Sequence, residues 1–342
     1  MPDRDAHPGP NQSKAAAQPR TTLPNARQFP RFAGIATFCR FPMIDQVPDH
    51  QQPVDWALYG VPFDLGVTYR PGARFAPRAI RNESQYIKPV HLEHNINLAE
   101  IFSMADAGDA PVKSFDWKGT LDAVAEFAMS IGEPAHTKLL AVGGDHSIAY
   151  ANMRATWQRR GKPKNGLAVL HFDAHLDTVD VVGGNKWSHA SPFRRAQEDG
   201  IIDLRRTLSV GIRGPLNASE DLSYGREHGI ELVTFEQWRS GDGSKRIVEF
   251  LKRLGDDEVY LSFDIDCIDP AFAPGTGTPC CGGFTSAEAI SLLRQCAGVN
   301  LVGADVVEVL PDRDVSGITA LLASHIMFEM LCLPAVRAMH KR

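Results

Sequence analysis

Cysteine forms no framework in this chain. Six cysteines (Cys39, Cys267, Cys280, Cys281, Cys296 and Cys332) are scattered over 342 residues with no C-x-x-C pair and no regular spacing. That pattern speaks against a disulfide-stapled secreted scaffold, and free thiols in a reducing cytoplasm are the expectation. A basic block is missing too. The chain has 36 Lys and Arg against 41 Asp and Glu, a net charge of −5, so a nucleic-acid partner is not expected. The N-terminus has no apolar core segment of the kind a signal peptide needs. The longest apolar run, residues 320–336, is broken by His325 and Glu329. It reads as a buried helix and not a membrane span. No internal repeat is visible.

The length suits one large α/β domain with a full core. Residues 1–30 are rich in Pro, Gln, Ala and Arg and poor in large apolar groups. They read as a mobile N-terminal arm, or as an arm folded over a neighbouring subunit. Residues 31–342 read as a single catalytic domain. Strand patterns at 55–62, 138–142, 166–172, 207–212, 230–233, 259–263 and 300–308 alternate with helix patterns at 76–84, 121–131, 246–254, 288–295 and 319–330. Such alternation predicts a parallel sheet covered by helices on both faces.

What is abundant is chemistry at strand ends. Gly143-Gly-Asp-His-Ser147, His171-Phe-Asp-Ala-His-Leu-Asp177 and Ser262-Phe-Asp-Ile-Asp266 concentrate histidines and aspartates. The last two follow apolar, β-rich runs, as buried parallel strands should be. Alternate residues of an extended chain point the same way, so Asp173, His175 and Asp177 converge if the strand continues, and Asp264 and Asp266 do likewise. Sites in parallel sheets form at the carboxyl ends of strands. A single Asp there is usually a cap or a turn residue. Packed together, these acids would repel and desolvate one another without a cation. Asp145 and Asp269 are read as turn residues, the latter because it precedes Pro270. Carboxylates and imidazoles without thiolates favour a borderline-hard divalent ion such as Mn²⁺, Ni²⁺, Co²⁺ or Zn²⁺. Shared carboxylates hold such ions roughly 3.5–4 Å apart and generate hydroxide from water near neutral pH.

These three segments, with Asp269-Pro270, closely resemble the signatures of the ureohydrolases (arginase, agmatinase and relatives). Gly60 to Arg74, Pro274-Gly-Thr-Gly-Thr-Pro279 and Asp305-Val-Val-Glu-Val309 resemble the agmatinase branch. Arg31 to Thr37 and Phe328 to Cys332 resemble the guanidinobutyrase and guanidinopropionase side. The resemblance spans about residues 31–338. It implies an arginase-like three-layer αβα sandwich with a central parallel sheet. It also implies two divalent ions, Mn²⁺ first and Ni²⁺ as the alternative. His146, Asp173, Asp177 and Asp264 would bind one; Asp173, His175, Asp264 and Asp266 the other. His189 would shuttle the proton and Glu308 would pair with the guanidinium. His171 would sit behind the ligands. Attack by metal-bridging hydroxide on a guanidinium carbon would release urea and an amine. Homotrimers or homohexamers are implied, and a hetero-oligomer with a paralogous chain is an alternative.

Several residues depart from the pattern. Cys280-Cys281 replace the pair after the Gly-Thr-Gly-Thr-Pro run, Ala190 replaces a Gly, Trp187 stands where arginases carry a polar residue, and Leu310 stands where a polar residue is usual. Each adds bulk or removes polarity at the expected mouth, which argues against L-arginine. The expected substrate is a small guanidino compound of the guanidinobutyrate or agmatine kind. The sharper alternative is an N-alkylguanidine or biguanide such as dimethylbiguanide (metformin), giving guanylurea and dimethylamine. A non-catalytic subunit is a further alternative. A binuclear metallophosphoesterase would need an Asn-His-Glu signature, which is absent from the sequence.

Overall fold

The computed structural model describes residues 18–340. Eight strands form one sheet: β1 (Trp56–Gly60), β2 (Met104–Asp109), β3 (Lys138–Val142), β4 (Leu167–Phe172), β5 (Ile202–Ile212), β6 (Glu231–Thr234), β7 (Val259–Asp264) and β8 (Leu301–Val307). The spatial order is β2-β1-β3-β8-β7-β4-β5-β6. Every neighbouring pair is parallel. Four of these strands, β1, β4, β7 and β8, are buried from end to end, which is why they read as continuous apolar runs.

Alternate strand residues feed two cores. Leu58, Leu140, Leu170 and Leu261 pack on one face with Ile326, Met327 and Met330 of α7 (Ile318–His340). Tyr59, Leu139, Val169 and Tyr260 pack on the other with Ala149 and Met153 of α3 (Ile148–Arg159). Helices α1 (Ala76–Glu83), α5 (Asp242–Leu254) and α6 (Ser286–Gln295) lie on the α7 side, and α2 (Trp117–Ser130) and α4 (Pro192–Glu198) on the α3 side. The expected three-layer αβα sandwich is therefore observed. By length and composition α7 could cross a membrane, but most of it is buried inside the protein.

Several boundaries differ from expectation. α2 begins at Trp117, before Leu121, because the Asp116 carboxylate caps the amide of Gly119 at 2.9 Å. α7 continues past Met330 to His340 despite Pro334, since its buried packing outweighs the lost hydrogen bond. β2 is invisible as an apolar pattern because it carries Asp106, Gly108 and Asp109. Asp106 is tolerated at 0% exposure because the Arg81 guanidinium meets it at 2.8 and 2.9 Å. The arm expected over residues 1–30 lies partly outside the described residues. Within them, Thr21 is buried and pins the chain, donating its hydroxyl to the Phe102 carbonyl at 2.6 Å and accepting from the Met104 amide at 2.9 Å. Arg20 pairs with Asp55 at 2.9 Å. Those residues belong to the body of the fold.

Candidate metal centre

The carboxyl ends of β3, β8, β7 and β4, four adjacent strands, carry the clustered residues. β3 runs into Gly143 and Gly144, with φ of 84° and 80°. A side chain on Gly144 would meet the Val61 and Phe63 carbonyls at 2.7 and 2.8 Å, so glycine is required on two counts. This turn delivers His146 just ahead of α3.

The alternation expected of the two acidic segments is not what gathers them. β4 stops at Phe172, and Asp173, His175 and Asp177 stand on the loop beyond it. Asp177 adopts a left-handed φ of 54°. β7 stops at Asp264, and Asp266 sits in a 3-10 turn that Asp264 caps at 2.8 Å. Left-handed backbone in a non-glycine residue is costly and tends to occur at functional sites.

The acids and imidazoles form two foci. At the first, His146 Nδ1 lies 2.9 Å from Asp177 Oδ2, 3.1 Å from Asp173 Oδ2 and 3.2 Å from Asp264 Oδ2. At the second, His175 Nδ1 lies 3.0 Å from Asp266 Oδ2 and 3.4 Å from Asp173 Oδ1. Asp173 faces both foci through its two oxygens. All of these groups are buried except His175, whose side chain is 33% exposed.

Their hydrogen bonding tests whether a cation fits. Tyr260 and Ser262 donate their hydroxyls to Asp305 at 2.6 Å each. The Ser262 proton is thereby spent, so its oxygen accepts from His146 Nε2 at 2.8 Å. His146 Nδ1 is left with a lone pair, faces three carboxylate oxygens and makes no hydrogen bond to any of them. Such a set is complete only with a positive charge at its centre. A proton can serve in the absence of metal: burial disfavours the charged ring, but the carboxylates of Asp173, Asp177 and Asp264 hold its pKa well above the usual range. Burial, then the charges of Asp266 and Asp173, push the Asp264 carboxyl well up. Both directions mark a pocket short of positive charge.

Glu308 follows β8 with a left-handed φ of 64°. Its Oε1 accepts from the His146 amide at 2.8 Å and contacts His189 Nδ1 at 2.9 Å. Its Oε2 is buried and has no partner. His189 Nε2 meets the Thr68 amide at 3.1 Å and its hydroxyl at 2.7 Å. Burial opposes charge on this ring, but the Glu308 carboxylate raises its pKa to about 9. Thr68 suits both states, donating its amide hydrogen to a neutral Nε2 and accepting at Oγ1 from a charged one.

A profile of the arginase family matches residues 54–332. The chain belongs to the arginase family. It is 42% identical over 315 residues to the guanidinopropionase of Pseudomonas aeruginosa, covering 92% of this chain and 96% of that protein. The guanidinobutyrase of the same organism is 39% identical over 315 residues, covering 90% and 95%. Among solved structures, the proclavaminate amidinohydrolase of Streptomyces clavuligerus superposes with a TM-score of 0.82 at 38% identity, covering 90% of this chain and all of that one.

Other residues surround this arginase-family centre. His171 donates from Nε2 to Asp173 Oδ2 at 2.9 Å and meets Ser209 at 3.0 Å, behind the foci. Asp145 is a turn residue that also reaches the Gly66 amide at 2.7 Å. Asp269 accepts from the amides of Gly282 and Gly283 at 2.6 and 3.2 Å. Leu310 is buried and packs beneath Gly72 and Gly277. Trp187 packs on Tyr150 and Trp117, with centroids 4.9 and 6.0 Å away. Ala190 is half-buried, and its carbonyl accepts from the Val179 amide at 2.9 Å. Cys280 is buried and Cys281 exposed. Thr68, Ser262, Arg213 and Thr278 touch the site without having been singled out. All but Arg213 lie in the segments that carried the family resemblance.

Proposed function

We propose that this chain hydrolyses the C–N bond of a small guanidino compound, releasing urea and an amine. It is a hydrolase of the linear-amidine class, akin to agmatinase and guanidinobutyrase. The observation that carries the reading is Glu308, with one carboxylate oxygen tied to His146 and His189 and the other buried and free. A guanidinium offers paired N–H donors that fit such an oxygen. His146, Asp173, Asp177 and Asp264 would hold one divalent cation, and Asp173, His175, Asp264 and Asp266 the second, with Mn²⁺ first and Ni²⁺ the alternative. When bound, the pair activates water and offsets developing negative charge. Glu308 orients the planar cation over the foci. His189, held by Glu308 and Thr68, supplies the proton that the departing amine takes as the C–N bond breaks.

One observation favours a second reading. Leu310 packs beside Gly277, whose backbone also borders the free oxygen of Glu308. Leu310, buried beneath Gly277, brings no polar group to that side of Glu308, which suits an N-alkylguanidine or a biguanide such as dimethylbiguanide, with guanylurea and dimethylamine as products. For assembly we propose a homotrimer or homohexamer, or a hetero-oligomer with a paralogue; the exposed side chains of Phe29, Phe32 and Ile35 offer apolar contact surface. Six free thiols suit a reducing cytoplasm.

The test is a product screen by mass spectrometry. The protein, loaded separately with Mn²⁺ and Ni²⁺, is offered agmatine, 4-guanidinobutyrate, 3-guanidinopropionate, arginine, methylguanidine and dimethylbiguanide. Turnover of a tailed guanidine supports the first reading. Turnover confined to dimethylbiguanide or methylguanidine supports the second. No turnover with either metal bound overturns both for the isolated chain and points to a partner subunit.

A further inference from the structure

The second focus has an unusual outer neighbour. Cys280 Sγ lies 3.6 Å from His175 Nε2, on the side of the ring away from Asp173 and Asp266. The sulfur is held there from both directions. The Arg213 guanidinium donates to the Cys280 carbonyl at 2.7 Å and to the Asp266 carbonyl at 2.7 Å. Asp269 grips the amides of Gly282 and Gly283 just beyond. Arg213 therefore ties the loop carrying the thiol to the turn carrying Asp266. Cys281, the adjacent thiol, faces solvent.

We propose that Cys280 is a positioning residue for the second cation. Its sulfur accepts the Nε2–H of His175 and so keeps the Nδ1 lone pair turned toward Asp173 and Asp266. The inference rests on the metal-dependent reading above. An imidazole that ligates through one nitrogen needs its other N–H fixed, and that outer contact sets ring orientation and basicity. At the first focus an oxygen, Ser262 Oγ, does this at 2.8 Å. At the second a thiol does it, and sulfur is a weaker and longer-range acceptor. His175 is also the more exposed of the two rings, 33% against 0% for His146. The second focus is thus the looser one, and residue 280 sets how loose. The role assigned to Cys280 is orienting His175, with no contact to the substrate tail required.

Mn²⁺ titration in competition with a chromophoric chelator, with metal content read by elemental mass spectrometry, tests this without an activity assay. Wild type should bind two ions with unequal affinity. Cys280→Ala should raise the weaker dissociation constant about 10- to 100-fold and leave the tighter one unchanged. Cys280→Ser, which restores an acceptor, should recover most of the loss, and Cys281→Ala should change neither constant. If Cys280→Ala does not fold, Cys280→Val replaces it as a variant without an acceptor. Unchanged weaker binding in the variant lacking an acceptor overturns the proposal. So does a thiolate-to-metal charge-transfer band in the cobalt-substituted wild type, since that makes the sulfur a ligand. Absence of metal binding in wild type defeats the metal-dependent reading itself, a result distinct from both.

Discussion

Two buried charged clusters in this protein look alike and behave differently. One is the centre at the strand ends. The other joins α7 to the hairpin formed by residues 90–91 and 96–97, where Glu329 is 3% and His91 2% exposed. There Glu329 Oε2 meets His91 Nε2 at 3.0 Å, and Oε1 accepts from Arg294 at 2.7 and 3.1 Å. His91 Nδ1 accepts the His94 amide at 3.1 Å, and its ring stacks on Phe328 at 5.7 Å. Every valence of that glutamate is met within the chain. At the strand ends, by contrast, His146 Nδ1 and Glu308 Oε2 have no partner. The difference teaches that burial of charge does not by itself mark a site. An unfinished set of partners gathered at one focus does, whereas single unpartnered atoms such as His94 Nε2, beside His91, also occur elsewhere among the described residues.

Four substitutions should break or sharpen this contrast. The largest effect is expected from Asp173→Ala, which removes the carboxylate common to both foci: turnover should fall by about 10⁴-fold or more and bound metal should be lost. Added metal should raise the Tm of wild type and leave that of the variant unchanged; a wild-type Tm indifferent to metal would place this cluster with the structural one. Glu329→Ala should do the reverse, costing about 3 kcal/mol in denaturant unfolding by leaving the buried His91 Nε2 without its partner, Arg294 still holding Glu93 at 3.2 Å, while metal stoichiometry and KM stay unchanged. A change in either would assign Glu329 a part in the chemistry.

His189→Ala should reduce kcat by about 10²-fold with both metals retained. Its proton also gives pH a sign. The raised pKa means the donor form is present at low pH and is lost as pH rises through about 9, and bound cations would move that limb lower. The limb should be missing from the kcat profile of the alanine variant; its persistence would assign it to another group. The smallest effect is expected from Ser262→Ala. It removes the acceptor for His146 Nε2 and should weaken the tighter metal site about 10-fold, as measured by chelator competition. Unaltered affinity would remove Ser262 and Asp305 from the description of the centre.

The residues that could bear the chemistry were legible as residue types at strand ends, but the reason they converge was not. The spacing of Asp173, His175 and Asp177 suggested an extended strand, whereas a loop with Asp177 in left-handed backbone gathers them. The edge strand β2 was hidden because its acids are balanced by Arg81, a distant residue. His91 and Glu329 could be seen individually, but their pairing spans 238 positions. No local pattern encodes a contact of that kind.

Apolar runs that alternate with helical patterns were enough to specify the parallel αβα architecture, and the residues themselves named the acids and imidazoles at the sheet's carboxyl edge. Tertiary structure alone decided which of them are finished and which are open. Whether a buried nitrogen or oxygen has a partner depends on groups brought within about 3 Å by the whole fold, or 3.6 Å where the partner is sulfur, such as Ser262 against His146, Thr68 against His189 and Cys280 against His175. Hydrogen bonds act over that distance and no further, so the open positions that mark this centre exist only once the chain has closed around them.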